Sequence, residues 1–310
     1  MGVVEVKGLT KRFGSGVLAV DNLSFTVTPG RVTGFLGPNG AGKTTTLRMI
    51  LGLVEPTSGT ATIDGVRYAD LLTPTRTVGA VLEASGFHPS RSARDHLRIL
   101  ALMGGIDEKR VDEVLHIVGL TDSARRKAGG FSLGMRQRLE LGGALLGEPS
   151  VLILDEPSNG LDPAGILWLR NFLRGFADQG NTVVISSHLL AEMEQTVDDV
   201  VIVTNGRLTA AGPLQDVTST LRSSVQVRSG DAQRLAAALT SAGLQVSSEG
   251  SDMVVVSGAS PEQVGKVIAT EQIVITEMVT TGHTLEDAFV ALTEADQPPV
   301  GLTSSEGEAL

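Results

Sequence analysis

Residues 37–45 read GPNGAGKTT, set between the apolar run VTGFLG (32–37) and the helix-forming TTTLRMIL (44–51). Gly37 to Thr44 fits G-x-x-x-x-G-K-[ST] in the strand–loop–helix setting that this pattern requires. Glycines let backbone N–H groups close around phosphates, and the following helix N-terminus adds favourable partial charge. Pro38, Asn39, Gly40, Ala41 and Gly42 make up the loop. Lys43 then reaches the terminal phosphates and Thr44 ligates Mg²⁺, with Thr45 next in the first turn. A glycine-rich turn matching by chance would need neither the strand before it nor the helix after it.

Two further strands end in reactive groups. The run SVLILDEP (150–157) is apolar until Asp155 and Glu156. Side chains alternate along a strand, so the two carboxylates cannot share one task. Asp155 suits a metal held through its shell of waters, and Glu156 is left to orient and deprotonate an attacking water. The run NTVVISSHLL (181–190) likewise ends near His188, at the strand edge where ligands of α/β sheets gather; we expect His188 to contact the terminal phosphate.

The bulk numbers narrow the class. With 41% apolar and 19% charged residues over 310 positions, the chain can bury a sizeable core. No apolar run approaches the ~18 residues of a membrane span, and MGVVEVKGLTKRF lacks a signal-peptide core. Without cysteine there are no disulfides or thiolate metal sites. The net charge of −10 is uneven: residues 1–216 carry 21 basic and 23 acidic side chains, residues 217–310 carry 4 and 12. An acidic C-terminal part and no aromatic-rich basic stripe argue against a nucleic-acid partner.

Short β-rich runs alternate with helical patterns through residues 1–217. Strands as apolar as VLIL and VVIS suit the middle of a largely parallel sheet, and the early hairpin-like runs suggest an antiparallel portion beside it. The expected fold class is therefore α/β with a mixed sheet. A C-terminal accessory domain is expected over residues 218–294, within which residues 223–294 run strand, helix, strand, strand, helix, strand (QIVITEMVT, 272–280), helix. The first six follow the order of a ferredoxin-like α+β unit. Residues 295–310 have the composition of a disordered tail.

Taken with FSLGMRQ (131–137) and SNGLD (158–162), these motifs resemble an ABC-type ATPase subunit over residues 3–216. FSLGM stands where that family's signature is usually LSGGQ. The resemblance implies that each signature faces the nucleotide held by another subunit's phosphate loop. Ser132 and the backbone at Gly134 would cap the γ-phosphate of a partner's ATP, and Asp162 would lie in the loop joining two subunits. Phe13 matches the aromatic that stacks on adenine, although a core phenylalanine fits the sequence as well. Glu83 stands where most members carry a magnesium-contacting glutamine, and Leu133 and Met135 replace the usual glycine and glutamine. These departures, with the helix LEDAFVALT, are similar to bacitracin- and daunorubicin-resistance drug-export ATPases.

The resemblance implies a homodimer that binds two MgATP and drives a separate permease from the cytoplasmic face of the membrane, exporting a drug, antibiotic or lipid-like compound. The family resemblance adds a helical subdomain to the mixed sheet. Arg91, Arg94 and Arg98 would lie on this subdomain, which docks the permease, or form an ordinary solvated helix face. A non-transport ATPase of the same type, or a regulator acting through residues 223–294, remains an alternative. A kinase or GTPase sharing only the phosphate loop leaves residues 132–137 without a use, and the N-K-x-D guanine reader is absent.

Overall fold

The computed structural model describes residues 2–14, 16–82, 86–219, 224–281 and 284–294; Glu83 and residues 295–310 lie outside them. The chain opens with β1 (Val4–Arg12), β2 (Leu18–Val27), β3 (Val32–Leu36), α1 (Lys43–Ile50) and β4 (Ser58–Ile63). A short α2 (Pro74–Thr77) leads into β5 (Val78–Val81), followed by α3 (Ala93–Met103), α4 (Lys109–Ile117) and α5 (Leu133–Leu145). Then come β6 (Val151–Asp155), α6 (Pro163–Asp178), β7 (Thr182–Ser187), α7 (Leu190–Glu194), β8 (Asp199–Thr204) and β9 (Arg207–Pro213). After Pro213 the chain divides into a second compact unit. The boundary expected at residue 217 falls inside its first helix, α8 (Leu214–Ser219).

Every position of β3, β6 and β7 is buried, the burial that parallel strands covered on both faces require. They lie in a six-stranded sheet of order β5-β6-β7-β3-β8-β9, parallel throughout except for β9 against β8. A three-stranded antiparallel sheet, β2-β1-β4, stands apart from it. Helix α1 packs on β2, β4 and β6, so it lies between the two sheets. One core follows from this, with Val4, Leu23, Phe25, Phe35, Leu47 and Ile153 among its members. Each such side chain fully buried contributes about 1.5–3 kcal/mol. Helices α3, α4 and α5 pack together as the helical subdomain, and α5 also rests on β5 of the six-stranded sheet.

Two stretches differ from the sequence-based expectation. The run DVVIVTNG ends as a strand at Thr204, because Asn205 and Gly206 both take positive φ (51° and 79°). That two-residue turn sends the chain back as β9, a strand the pattern alone does not reveal.

The second unit holds α8, β10 (Ser224–Arg228), α9 (Ala232–Ser241), β11 (Gln245–Glu249), β12 (Met253–Ser257), α10 (Pro261–Thr270), β13 (Glu277–Thr281) and α11 (Leu285–Glu294). Its antiparallel sheet has order β11-β12-β10-β13, the split β-α-β arrangement. The expected strand at 272–280 begins only at Glu277. Gln272 turns left-handed (φ 51°), Ile273 N–H closes the end of α10 on Ile268 O, and the Ile273 side chain is taken into the core.

Candidate active site

The phosphate loop spans the turn from β3 to α1. Gly40 and Gly42 adopt φ of 81° and 97°, which side-chain-bearing residues rarely take. A Cβ at Gly37 would lie 2.4 Å from Val203 O, and one at Gly42 would lie 2.4 Å from Ala19 O. The loop is pressed against its neighbours and tolerates no side chains there. Lys43 is 7% exposed, and its Nζ donates to Gly37 O (2.7 Å) and Pro38 O (3.3 Å), curling back over the loop. Ala41 N–H bonds Pro38 O, and Gly206 N–H bonds Ala41 O, which ties the loop to the β8–β9 turn. Asn39 and Gly40 stay exposed at its rim, and Thr45 sits half-buried in the first turn of α1.

Behind the loop lies a chain of polar contacts. Thr44 Oγ1 donates to Asp155 Oδ2 at 2.8 Å. The other oxygen of Asp155 accepts a short hydrogen bond from Ser186. Ser186 Oγ in turn accepts from Glu156 N–H at 2.9 Å. The Glu156 carboxylate meets His188 Nδ1 at 2.8 Å. Asp155 is 4% exposed and Ser186 fully buried, so the hydrogen bonds offset what would otherwise be a costly desolvation. Glu156 sits just past β6 in a left-handed conformation (φ 51°), and its carboxylate has a different partner from those of Asp155. The structure thus brings Lys43, Thr44, Asp155, Glu156 and His188 into one connected site.

The donors suit a hard cation. A hydroxyl and a carboxylate stand together, and among the described residues no cluster of three or more His, Cys, Asp or Glu could hold a metal by itself. Magnesium commonly takes one or two protein oxygens and completes its shell with waters and phosphate oxygens, so the residues fit.

The remaining sequence candidates are placed differently. Ser132 caps α5, its Oγ accepting from Met135 N–H at 3.3 Å. Leu133 rests on Gly160, whose φ of 72° and lack of Cβ make room for it, and Gly134 faces Leu161. Asp162 caps α6 by accepting from Gly165 N–H at 2.8 Å. The signature and the Asp162 loop are therefore braced against each other. Phe13 is 42% exposed at the β1–β2 turn with Lys11 Nζ 5.2 Å from its ring centre, so it is not a core phenylalanine. Arg94 pairs with Asp112 and Arg98 with Glu108, joining α3 to α4. Both pairs remain largely exposed at the surface of the helical subdomain. Ser186 was the residue the sequence did not single out, although it lies inside the quoted VVISS run.

The fold and the connected site define a phosphate-loop nucleotide-binding protein with its acidic pair at the end of β6, two strands from the β3 that carries the loop. The ABC transporter family profile matches residues 20–159, and a domain of unknown function matches residues 223–286. The bacitracin transport ATP-binding protein BcrA of Bacillus licheniformis is 47% identical over 212 residues, 66% of this chain and 68% of that one. An uncharacterized ABC transporter ATP-binding protein, YhcH of Bacillus subtilis, is 37% identical over 297 residues, 94% and 96% of the two chains. A solved ATP-binding subunit of an ABC transporter superimposes with a TM-score of 0.64 at 32% identity, covering 70% of this chain and 92% of that one. The chain belongs to the ABC transporter family as its ATP-binding, ATP-hydrolysing subunit.

Proposed function

We propose that two copies of the chain sandwich two MgATP molecules and drive a separate membrane permease from the cytoplasmic face, exporting an antibiotic, drug or lipid-like compound. The observation that carries this reading is the chain of contacts from Thr44 through Asp155, Ser186 and Glu156 to His188. In it, residues 37–45 cradle the phosphates, and Lys43 neutralises the terminal ones. Thr44 and Asp155 hold Mg²⁺, with Glu83 as the third oxygen donor by resemblance; the bound ion would supply charge neutralisation. Glu156 takes a proton from the attacking water. His188 holds the Glu156 carboxylate through Nδ1, which leaves its other ring nitrogen to meet the terminal phosphate. Phe13 stacks on adenine.

The paired arrangement rests on how the parts are held. Helix α1, with its loop, packs on β2, β4 and β6, whereas α5 packs on α3, α4 and β5. One chain carries one loop and one signature on separate supports, and a second copy supplies Ser132 and Gly134 to the first copy's nucleotide, with Asp162 at the joint. For the permease, a cavity of about 530 Å³ between β5 and the helical subdomain offers an apolar seat lined by Val81, Leu100, Met103 and Ile106. Leu102 and Met103 are exposed beside it, and among the described residues no helix is long and apolar enough to cross a membrane itself. The bacitracin transport relative supports an antibiotic-class cargo.

The test is Glu156→Gln. The amide keeps the water's position but cannot take its proton, so turnover should fall by ~10²–10⁴ while ATP binding persists and a closed dimer accumulates. Hydrolysis near the wild-type rate would remove Glu156 from the role of base.

A further inference from the structure

We propose that Ser186 is a positioning residue for hydrolysis, fixing the Asp155 carboxylate and the Glu156 turn with one hydroxyl. The proposal rests on the active-site reading above and deepens it. Strands β6 and β7 run parallel with Asp155 directly opposite Ser186, so the register sets the serine beside both acidic residues. Ser186 is 0% exposed, and no solvent can stand in for it.

A serine hydroxyl has one proton to donate and two lone pairs to accept with. Here the proton goes to Asp155 Oδ1, and one lone pair takes Glu156 N–H. Two consequences follow. First, the carboxylate plane of Asp155 is pinned, with Oδ2 directed at the Thr44 hydroxyl. Without that pin the carboxylate can rotate about its Cβ–Cγ bond and lose its aim at the metal position. Second, Glu156 is held at the left-handed φ of 51°, a conformation a residue with a side chain adopts only when its surroundings enforce it. Ser186 therefore couples the metal-binding carboxylate to the base that follows it in sequence. Ser187, its neighbour, does something else: its Oγ accepts from Leu189 N–H and steers the chain past His188.

Partners that orient a metal-binding carboxylate typically change metal affinity or activity by ~10–100-fold when removed. The experiment is equilibrium binding of the fluorescent analogue trinitrophenyl-ATP to the full chain, with Mg²⁺ titrated, alongside kcat and thermal unfolding. For Ser186→Ala we expect unchanged binding in EDTA, a ~10–100-fold higher Mg²⁺ requirement and a lower kcat. Ser186→Thr keeps the hydroxyl and should recover most of the Mg²⁺ response. A purely structural serine would lower the unfolding temperature without moving the Mg²⁺ titration, and that result overturns the proposal. Should the alanine variant fail to fold, Ser186→Val is read in its place, because it has the shape of the threonine variant without its hydroxyl; a wild-type Mg²⁺ titration again overturns the role. Lys43→Ala separates the two readings. If it still binds the analogue as wild type does, the active site itself is misassigned and the role of Ser186 falls with it. If it loses binding while Ser186→Ala titrates like wild type, only the role of Ser186 falls.

Discussion

The phosphate loop and the signature segment are both glycine-bearing turns that open a helix, yet they are held in different ways. No side chain caps α1, whose N-cap is Gly42 at φ 97°, so its first turn presents backbone donors and a buried lysine. Helix α5 is capped by its own Ser132. The loop is packed against Ala19 and Val203 and bonded through Thr44 to Asp155 at the end of β6. The signature instead leaves Leu133 50% exposed and leans on the Gly160–Leu161 turn. One segment is finished within its own chain apart from a nucleotide. The other is braced at its back and open at its front, the form expected of a part offered to another molecule.

The largest expected effect sets the two segments against each other. Lys43→Ala damages a chain's own loop, and Ser132→Arg damages what it offers its partner. Homodimers of either variant contain two damaged sites and should be nearly inactive. In a mixed dimer the intact loop of the Ser132→Arg chain meets the intact signature of the Lys43→Ala chain, so one whole site is restored. Mixing differently tagged chains in ATP should therefore yield heterodimers well above either homodimer, with partial recovery of turnover. If the Ser132→Arg chain closes and hydrolyses normally by itself, residues 131–140 are only a capped helix and the contrast has no functional content.

Asp162 sharpens the same contrast at intermediate size. Its carboxylate accepts from Gly165 N–H, and loss of such a cap costs about 1 kcal/mol. Asp162→Ala should lower chemical-denaturation stability by about that much. Asp162→Asn retains an acceptor and should keep nearly all the stability. If the loop also joins two copies, both variants should weaken ATP-dependent dimerisation, as sedimentation would detect. Dimerisation that tracks stability alone would reduce Asp162 to a cap.

Legibility from sequence follows a physical line. Gly37 to Thr44 could be read because each residue type answers a local backbone or charge requirement. Strands β6 and β7 could be read because parallel strands buried on both faces are continuously apolar. What escaped depends on register and on long-range neighbours. Ser186 reaches Asp155 only because β6 and β7 pair at that position, and no one-dimensional pattern encodes the pairing. The place of His188 at a strand edge is legible, but the contact of its Nδ1 with Glu156, 32 positions away in sequence, is not. Phe13 could be either core or surface until the β1–β2 turn left it outside. Arg94 and Arg98 suit a docking face or a solvated one equally from sequence; their ion pairs with Asp112 and Glu108 depend on how α4 packs beside α3.

The smallest expected effect separates the helical subdomain from the nucleotide-binding core by pH. His96, on α3, is 7% exposed, lines the cavity beside β5 and meets the edge of Phe87 at 6.2 Å. Burial pushes its pKa below the ordinary 6.5, and the nearby charge of Arg91 pushes it further down. Above 6.5 the imidazole is neutral in both folded and unfolded chains and costs nothing. As the pH falls through 6.5, the unfolded chain takes up a proton that the folded chain refuses, so stability declines until the lowered folded pKa is reached. His96→Leu removes that proton uptake and should flatten the decline in unfolding temperature between about pH 7.5 and about pH 5.5. Its nucleotide affinity at about pH 7.5 should stay at the wild-type value, since no contact joins His96 to the Thr44–His188 chain among those the structure gives. An acid response identical in wild type and variant would locate the sensitive group elsewhere. A variant that also lost nucleotide affinity would mean that the subdomain carrying the signature and the core carrying the loop do not respond separately.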